Sequence, residues 1–107
     1  MTVPDIRLLY ITAPSDDVAR DLAEHLVSER LVACVNILPG MRSVYRWQGE
    51  VCRDDEVVLI AKTTGTMATA ARGAIVARHP ASCPCVVEVP VAGGHDEFLL
   101  WISEQVS

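Results

Sequence analysis

Ala33–Gly49 reads ACVNILPGMRSVYRWQG. It sets an apolar strand, a Pro-Gly interruption, a second strand segment and a hairpin turn in one run. Pro39 has no N–H to give to a ladder, so a bulge or bend belongs at Pro39–Gly40. Gln48 and Gly49 supply the turn. Few small domains need a strand of that length internally, and its excess points outward, to a partner subunit.

Working outward, the chain alternates regularly. Ile6–Thr12 (IRLLYIT) is a first strand, mostly aliphatic. Pro14 and Ser15 open a helix, with Ser15 as N-cap and Asp16 and Asp17 favourable in its first turn. Val18, Leu22 and Leu26 recur every four residues on one apolar face. Ala33–Trp47 is the long second strand and Glu50–Thr63 the third. Thr66 is the expected cap of a second helix, whose apolar face reads Met67, Ala70, Ala71, Ala74 and Ile75. That helix stops before Pro80. Cys85–Val91 (CVVEVPV) is a fourth strand. After the Gly93–Gly94 break, Asp96 caps a final helix carrying Phe98, Leu99, Trp101 and Ile102.

Two right-handed crossover units joined by a hairpin give an α+β, ferredoxin-like βαββαβ sandwich with a C-terminal helix, as a single domain over residues 1–107. Both main helices then cover one sheet face. A strand with one wet face alternates apolar and polar residues. Here Ile6, Leu8 and Tyr10 are apolar on one parity, and Leu9 and Ile11 on the other. Val57, Leu59 and Ala61 oppose Val58 and Ile60 in the same way. The second face is therefore apolar too, and no remaining element is large enough to cover it. Burying four or five such side chains between subunits is worth roughly 6–12 kcal/mol before association costs. Oligomerisation follows.

Composition narrows the function classes. The 107 residues are 50% apolar with a net charge of -5, and mean hydropathy is positive. The cationic residues are scattered singly, without the basic stripe that nucleic acid or an anionic membrane surface requires. No apolar run is long enough to cross a bilayer. The start, MTVPDIR, lacks a basic segment followed by an apolar core, so a cytoplasmic protein is expected.

The chemistry-bearing residues cluster late. His79, Cys83 and Cys85 lie together in HPASCPC. Thiolates and an imidazole suit copper(I) and zinc, and a Cys-Pro-Cys step presents two sulfurs on a restrained backbone. The plainer reading has His79 at a helix end, favoured by the dipole, and both cysteines as small buried residues. Cys34 and Cys52 read as packing residues. A Cys83–His79 dyad lacks a visible orienting group. With no nucleophile elbow and no paired acid and base, the chain does not read as an enzyme. Tyr45, Trp47 and Trp101 suit a subunit cleft or interface. Lys62 suits a salt bridge with Glu56 or Glu88, or an anion between subunits. Asp54, Asp55 and Glu56 read as a solvated acidic edge. His25 reads as a surface or half-buried helix residue, and His95 as a helix cap.

ITAPSD, ACVNILPG, SVYRWQGEV, KTT, ARHP, EVPV and FLLWI, in this order and spacing, resemble the divalent-cation tolerance (CutA) family over nearly the whole chain. The resemblance implies a ferredoxin-like protomer and a cytosolic homotrimer, with sheets packed at the centre and the long hairpin extending a neighbour's sheet. It also implies metal tolerance, with copper binding in some members. The copper ligands discussed for that family are a cysteine before the Thr-Ala-Pro block and a His-His pair before the following proline. Their positions here are Ile11, Arg78 and His79, and only His79 can ligate. The architecture is similar to that of PII signalling proteins, which bind small effectors in clefts between subunits. Two functions are therefore carried forward. One is tolerance of copper or another divalent metal ion through His79, Cys83 and Cys85. The other is a PII-like module that binds a small effector or a partner protein, without a physiological metal site.

Overall fold

The computed structural model describes residues 4–107. The reading of MTVPDIR as a start without a leader begins in residues outside the described ones. The elements are β1 (Ile6–Ala13), α1 (Asp16–Ser28), β2 (Cys34–Trp47), β3 (Glu50–Thr64), α2 (Gly65–Arg78), β4 (Val86–Pro90) and α3 (Asp96–Gln105). The strands form one sheet in the order β2-β3-β1-β4, antiparallel at every pairing. This is the ferredoxin-like sandwich expected from the element order.

Local chemistry sets the element ends. Ser15 is extended, and its hydroxyl accepts the Val18 N–H at 3.2 Å, opening α1. At α2 the cap is Thr64, not Thr66. Thr64 is still extended and its hydroxyl accepts the Met67 N–H at 3.3 Å. Either threonine carries a suitable oxygen; the strand ending at Thr64 decides between them. The inward face of α2 is consequently Ala68, Ala71 and Ile75, with Met67 and Ala74 flanking. Ala70, expected inside, faces solvent. At α3, Asp96 lies in the first turn and His95 occupies the cap position without a side-chain hydrogen bond.

The bulge falls where Pro39–Gly40 demands it: Leu38 pairs with Val58, and the next register partner, Met41, pairs with Glu56. Gly40 takes φ +80° there, a conformation open to glycine at little cost. Gln48 (φ +51°) and Gly49 (φ +80°) make the two-residue turn. The hairpin beyond the bulge stretches the protomer to 50 Å against 26 and 22 Å in the other directions.

The core lies between the sheet and α1 and α2. Leu9, Ile11, Leu59 and Ala61 meet Leu22, Leu26, Ala71 and Ile75, all essentially inaccessible to water. Thr63 is buried among them, its hydroxyl donating to the Leu31 carbonyl at 2.7 Å. Two carboxylates tie the helices down. Glu88 holds Arg7 and Arg72, and Asp21 of α1 receives both arms of Arg78 from α2 at 2.8 and 3.0 Å.

The opposite sheet face is only partly covered. At one end α3 packs Leu99 and Ile102 on Ile6 and Ala33, so the expectation that nothing in the chain covers this face needs correcting. Beyond α3, Tyr10, Leu38, Val87 and Val89 stay 38–52% exposed. Lys62 and Cys34 are register partners on this face, so Cys34 is half-buried outside the main core. Lys62 donates to Asn36 and is not paired with Glu56 or Glu88. The latter is committed to Arg7 and Arg72 on the helix side. About half of each exposed side chain is already hidden, so finishing their burial gives only ~3–6 kcal/mol. Association alone costs about 4–15 kcal/mol. An assembly built on this face must recruit the hairpin as well, where Val44, Trp47 and Val51 are exposed.

Candidate functional site

The bulge creates the site. In β2 before the bulge, Cys34, Asn36 and Leu38 share the helix-free face with Lys62, Ile60 and Val58. The extra residue shifts parity by one. After it, Met41, Ser43, Tyr45 and Trp47 continue on that same face, opposite Glu56, Asp54, Cys52 and Glu50. Tyr10 and Thr12 of β1 share the face as well. Of these, Tyr10, Thr12, Met41, Ser43, Tyr45, Trp47 and Glu56 line an open cleft of about 750 Å³, whose other wall brings in His79, Cys83 and Cys85 from the segment after α2.

The segment after α2 is fastened to one residue of β1. The His79 N–H closes α2 on the Ile75 carbonyl at 2.9 Å. Its ring turns to β1: Nε2 lies 2.8 Å from the Thr12 carbonyl, and Nδ1 accepts the Ala81 N–H at 3.0 Å. A carbonyl can only accept and a backbone N–H can only donate, so the hydrogen-bond network assigns one tautomer, neutral, with the proton on Nε2. The Thr12 N–H in turn donates to the Cys85 carbonyl at 3.4 Å. Thr12 thus grips the segment at both ends, and Cys83 and Cys85 are both exposed between and beside these anchors. The reading of these cysteines as small buried residues is overturned. His79 does sit at the helix end, through its backbone; its ring serves the strand.

This geometry bears on the metal sets. Ile11, at the family's cysteine position, is buried in the core. Arg78, at the first histidine position, is occupied by Asp21, whose carboxyl it holds below the usual 3.8 chiefly by hydrogen bonding. Both ring nitrogens of His79 are committed to backbone groups. The family's copper ligands therefore do not fit this chain. Among the described residues, no three His, Cys, Asp or Glu side chains gather closely enough to hold a metal ion. The Cys83–His79 dyad fares no better, because the nitrogen that would accept a thiol proton already accepts the Ala81 N–H.

The hairpin wall is aromatic and acidic. The Tyr45 hydroxyl donates to the Asp54 carboxylate, which pushes the phenol up to about 12. Asp54 is thus a partner of the cleft wall and not merely a solvated edge. Tyr45 and Trp47 line this cleft within one chain. Trp101 does not; it stacks on Phe98 with ring centroids 5.6 Å apart on α3. His25 is half-buried in α1. Thr12 and Met41 escaped the sequence reading. Counting parity through the Pro39–Gly40 bulge would have placed Met41 on this face; no local signal marks Thr12.

Fold and cleft together define a ferredoxin-like α+β protomer with a protruding hairpin and a sulfur-bearing cleft at its root. The family model described as CutA1 divalent ion tolerance protein matches residues 7–105. The Divalent-cation tolerance protein CutA of Thermus thermophilus is 47% identical over 97 residues, covering 91% of this chain and 94% of that relative. The chloroplastic Protein CutA of Arabidopsis thaliana is 41% identical over 101 residues, and the match spans 94% of this chain but 55% of that longer relative. A solved structure of the Thermus thermophilus divalent cation tolerance protein superposes with a TM-score of 0.93 at 45% identity, covering 95% of this chain and 99% of the other. The chain belongs to the CutA1 divalent ion tolerance family.

Proposed function

We propose that this protein acts as a cytoplasmic homotrimer in tolerance of divalent metal ions, copper foremost, and that it meets the ion in the cleft at the root of the hairpin. Family membership supports the tolerance role. The single observation that carries the binding role is that Cys83 and Cys85 are exposed and line one cleft with His79. The half-covered apolar sheet face, continuous with the hairpin, supports assembly; the number three comes from the family resemblance. No helix among the described residues is long and apolar enough to cross a membrane. The role we read is binding: both nitrogens of the His79 ring are committed to backbone groups, so it does not serve the thiols as a base.

Copper titration of the purified protein tests this. Stoichiometric binding that is lost in Cys83→Ser supports the cleft; unchanged binding in Cys83→Ser and His79→Ala removes these residues from the role. Tyr10, Tyr45 and Trp47 in the cleft wall favour a second reading, a PII-like module for a small effector. A thermal-shift screen with nucleotides and metabolites tests it, and the absence of any stabilising compound counts against it.

A further inference from the structure

Three sulfur-bearing residues from two separate parts of the chain line the cleft. Cys83 and Cys85 come from the segment gripped by Thr12, and Met41 comes from the hairpin just past the bulge. Met41 is half-buried, and its sulfur accepts the Ser43 hydroxyl at 3.2 Å, which orients it. Among the described residues His79 is the one imidazole lining the cleft, and it is unavailable, with Nε2 on Thr12 and Nδ1 on Ala81. Thiolates suit copper(I) and zinc alike, but a thioether belongs to the soft ligand set of copper(I) and not to the Cys, His and carboxylate set that zinc uses.

We infer that Met41, Cys83 and Cys85 form an all-sulfur copper(I) site, and that His79 is a positioning residue that never ligates the ion. The inference rests on the metal reading of the cleft and narrows it to one oxidation state. Its ligands differ from those the family resemblance marks. Copper enters as Cu⁺ and leaves as Cu⁺, so no electron is transferred. Each thiol gives up its proton to solvent as its sulfur binds, and the product is a bis-thiolate copper anion. The Met41 thioether adds a lone pair without losing a proton. Proline between the cysteines limits the backbone freedom lost when both sulfurs close on one ion. His79 contributes by holding Thr12 and Ala81 in place, which fixes where the Cys83 and Cys85 backbones run.

The test is an anaerobic titration of the reduced full-length protein with copper(I) against a chromogenic copper(I) chelator, followed by X-ray absorption of the complex. The expected result is stoichiometric copper(I) with an all-sulfur shell and an ultraviolet thiolate-to-copper band. Cys83→Ser and Cys85→Ser, both at exposed positions, stay folded and lose the band. Met41→Leu keeps the band with weaker binding and one fewer sulfur neighbour. His79→Ala weakens binding about 10–100-fold, as removal of an outer-shell support does, with the sulfur shell unchanged. Nitrogen scattering that vanishes in His79→Ala overturns the inference, as does wild-type affinity in Cys83→Ser. Copper(II) or zinc bound through His79, without copper(I) binding, overturns it while leaving the broader metal reading intact. A wild-type protein that binds none of these ions overturns both.

Discussion

At the scale of single residues, the site is a matter of which polar atoms are already taken. His79 was visible in the sequence as chemistry, but its partner Thr12 lies 67 positions away, and no pattern along the chain couples the two. A residue's type shows what it can bind; only the fold shows what it has already bound. Tyr45 offers a direct check. Its hydroxyl donates to Asp54, and the neutral phenol is favoured up to about 12. The sign follows: a raised folded-state value means this contribution to stability is present below the ordinary value of 10.0 and is lost as pH rises through about 12. Alkaline ultraviolet titration of wild type and Asp54→Asn should show one tyrosine falling back toward 10.0 in the variant. A tyrosine titration identical in both proteins would contradict the hydrogen bond.

Elements were more legible than contacts. The strands announce themselves through apolar runs, the turn through Gln48–Gly49, and the bulge through Pro39–Gly40. The face of α2 did not, because alanines at 68, 70, 71, 74 and 77 surround the helix and blur its 3.6-residue period. Ala71 is fully buried and Ala70 exposed. Ala71→Leu should therefore overpack the core and cost about 1–3 kcal/mol in denaturant unfolding, while Ala70→Glu should stay within about 0.5 kcal/mol. Reversed costs would place the helix on the wrong face. The bulge can be tested through the hairpin it aims. Deleting Gly40 removes the extra residue and sets Met41 two positions after Leu38, so Met41, Ser43 and Tyr45 keep their face in strict pairing. The Tyr45 titration should then stay at about 12, because Asp54 remains on the same face. A fall toward 10.0 would show that Gly40 is not the extra residue and that the register is set elsewhere.

For the whole molecule, two-faced strands in the sequence pointed to a second buried surface, and the fold shows where that inference was incomplete. Helix α3 takes one end of the face through Ile6 and Ala33, a contact that depends on where the chain returns after Gly93–Gly94. The remaining exposed patch is too small to hold copies together alone, so the assembly proposed above draws on the hairpin as well. Val87 on β4 and Val44 on the hairpin are 52% and 69% exposed. Val87→Asp and Val44→Asp should each weaken assembly while leaving the protomer fold intact by circular dichroism, since neither lies in the core. The central claim is that sister copies cover this surface, and sedimentation equilibrium at micromolar concentration tests it most directly. The expected result is a species of three times the 11.6 kDa chain mass, shifting to lighter species in both aspartate variants. A wild-type protein that sediments at 11.6 kDa, indistinguishable from Val87→Asp, would contradict it.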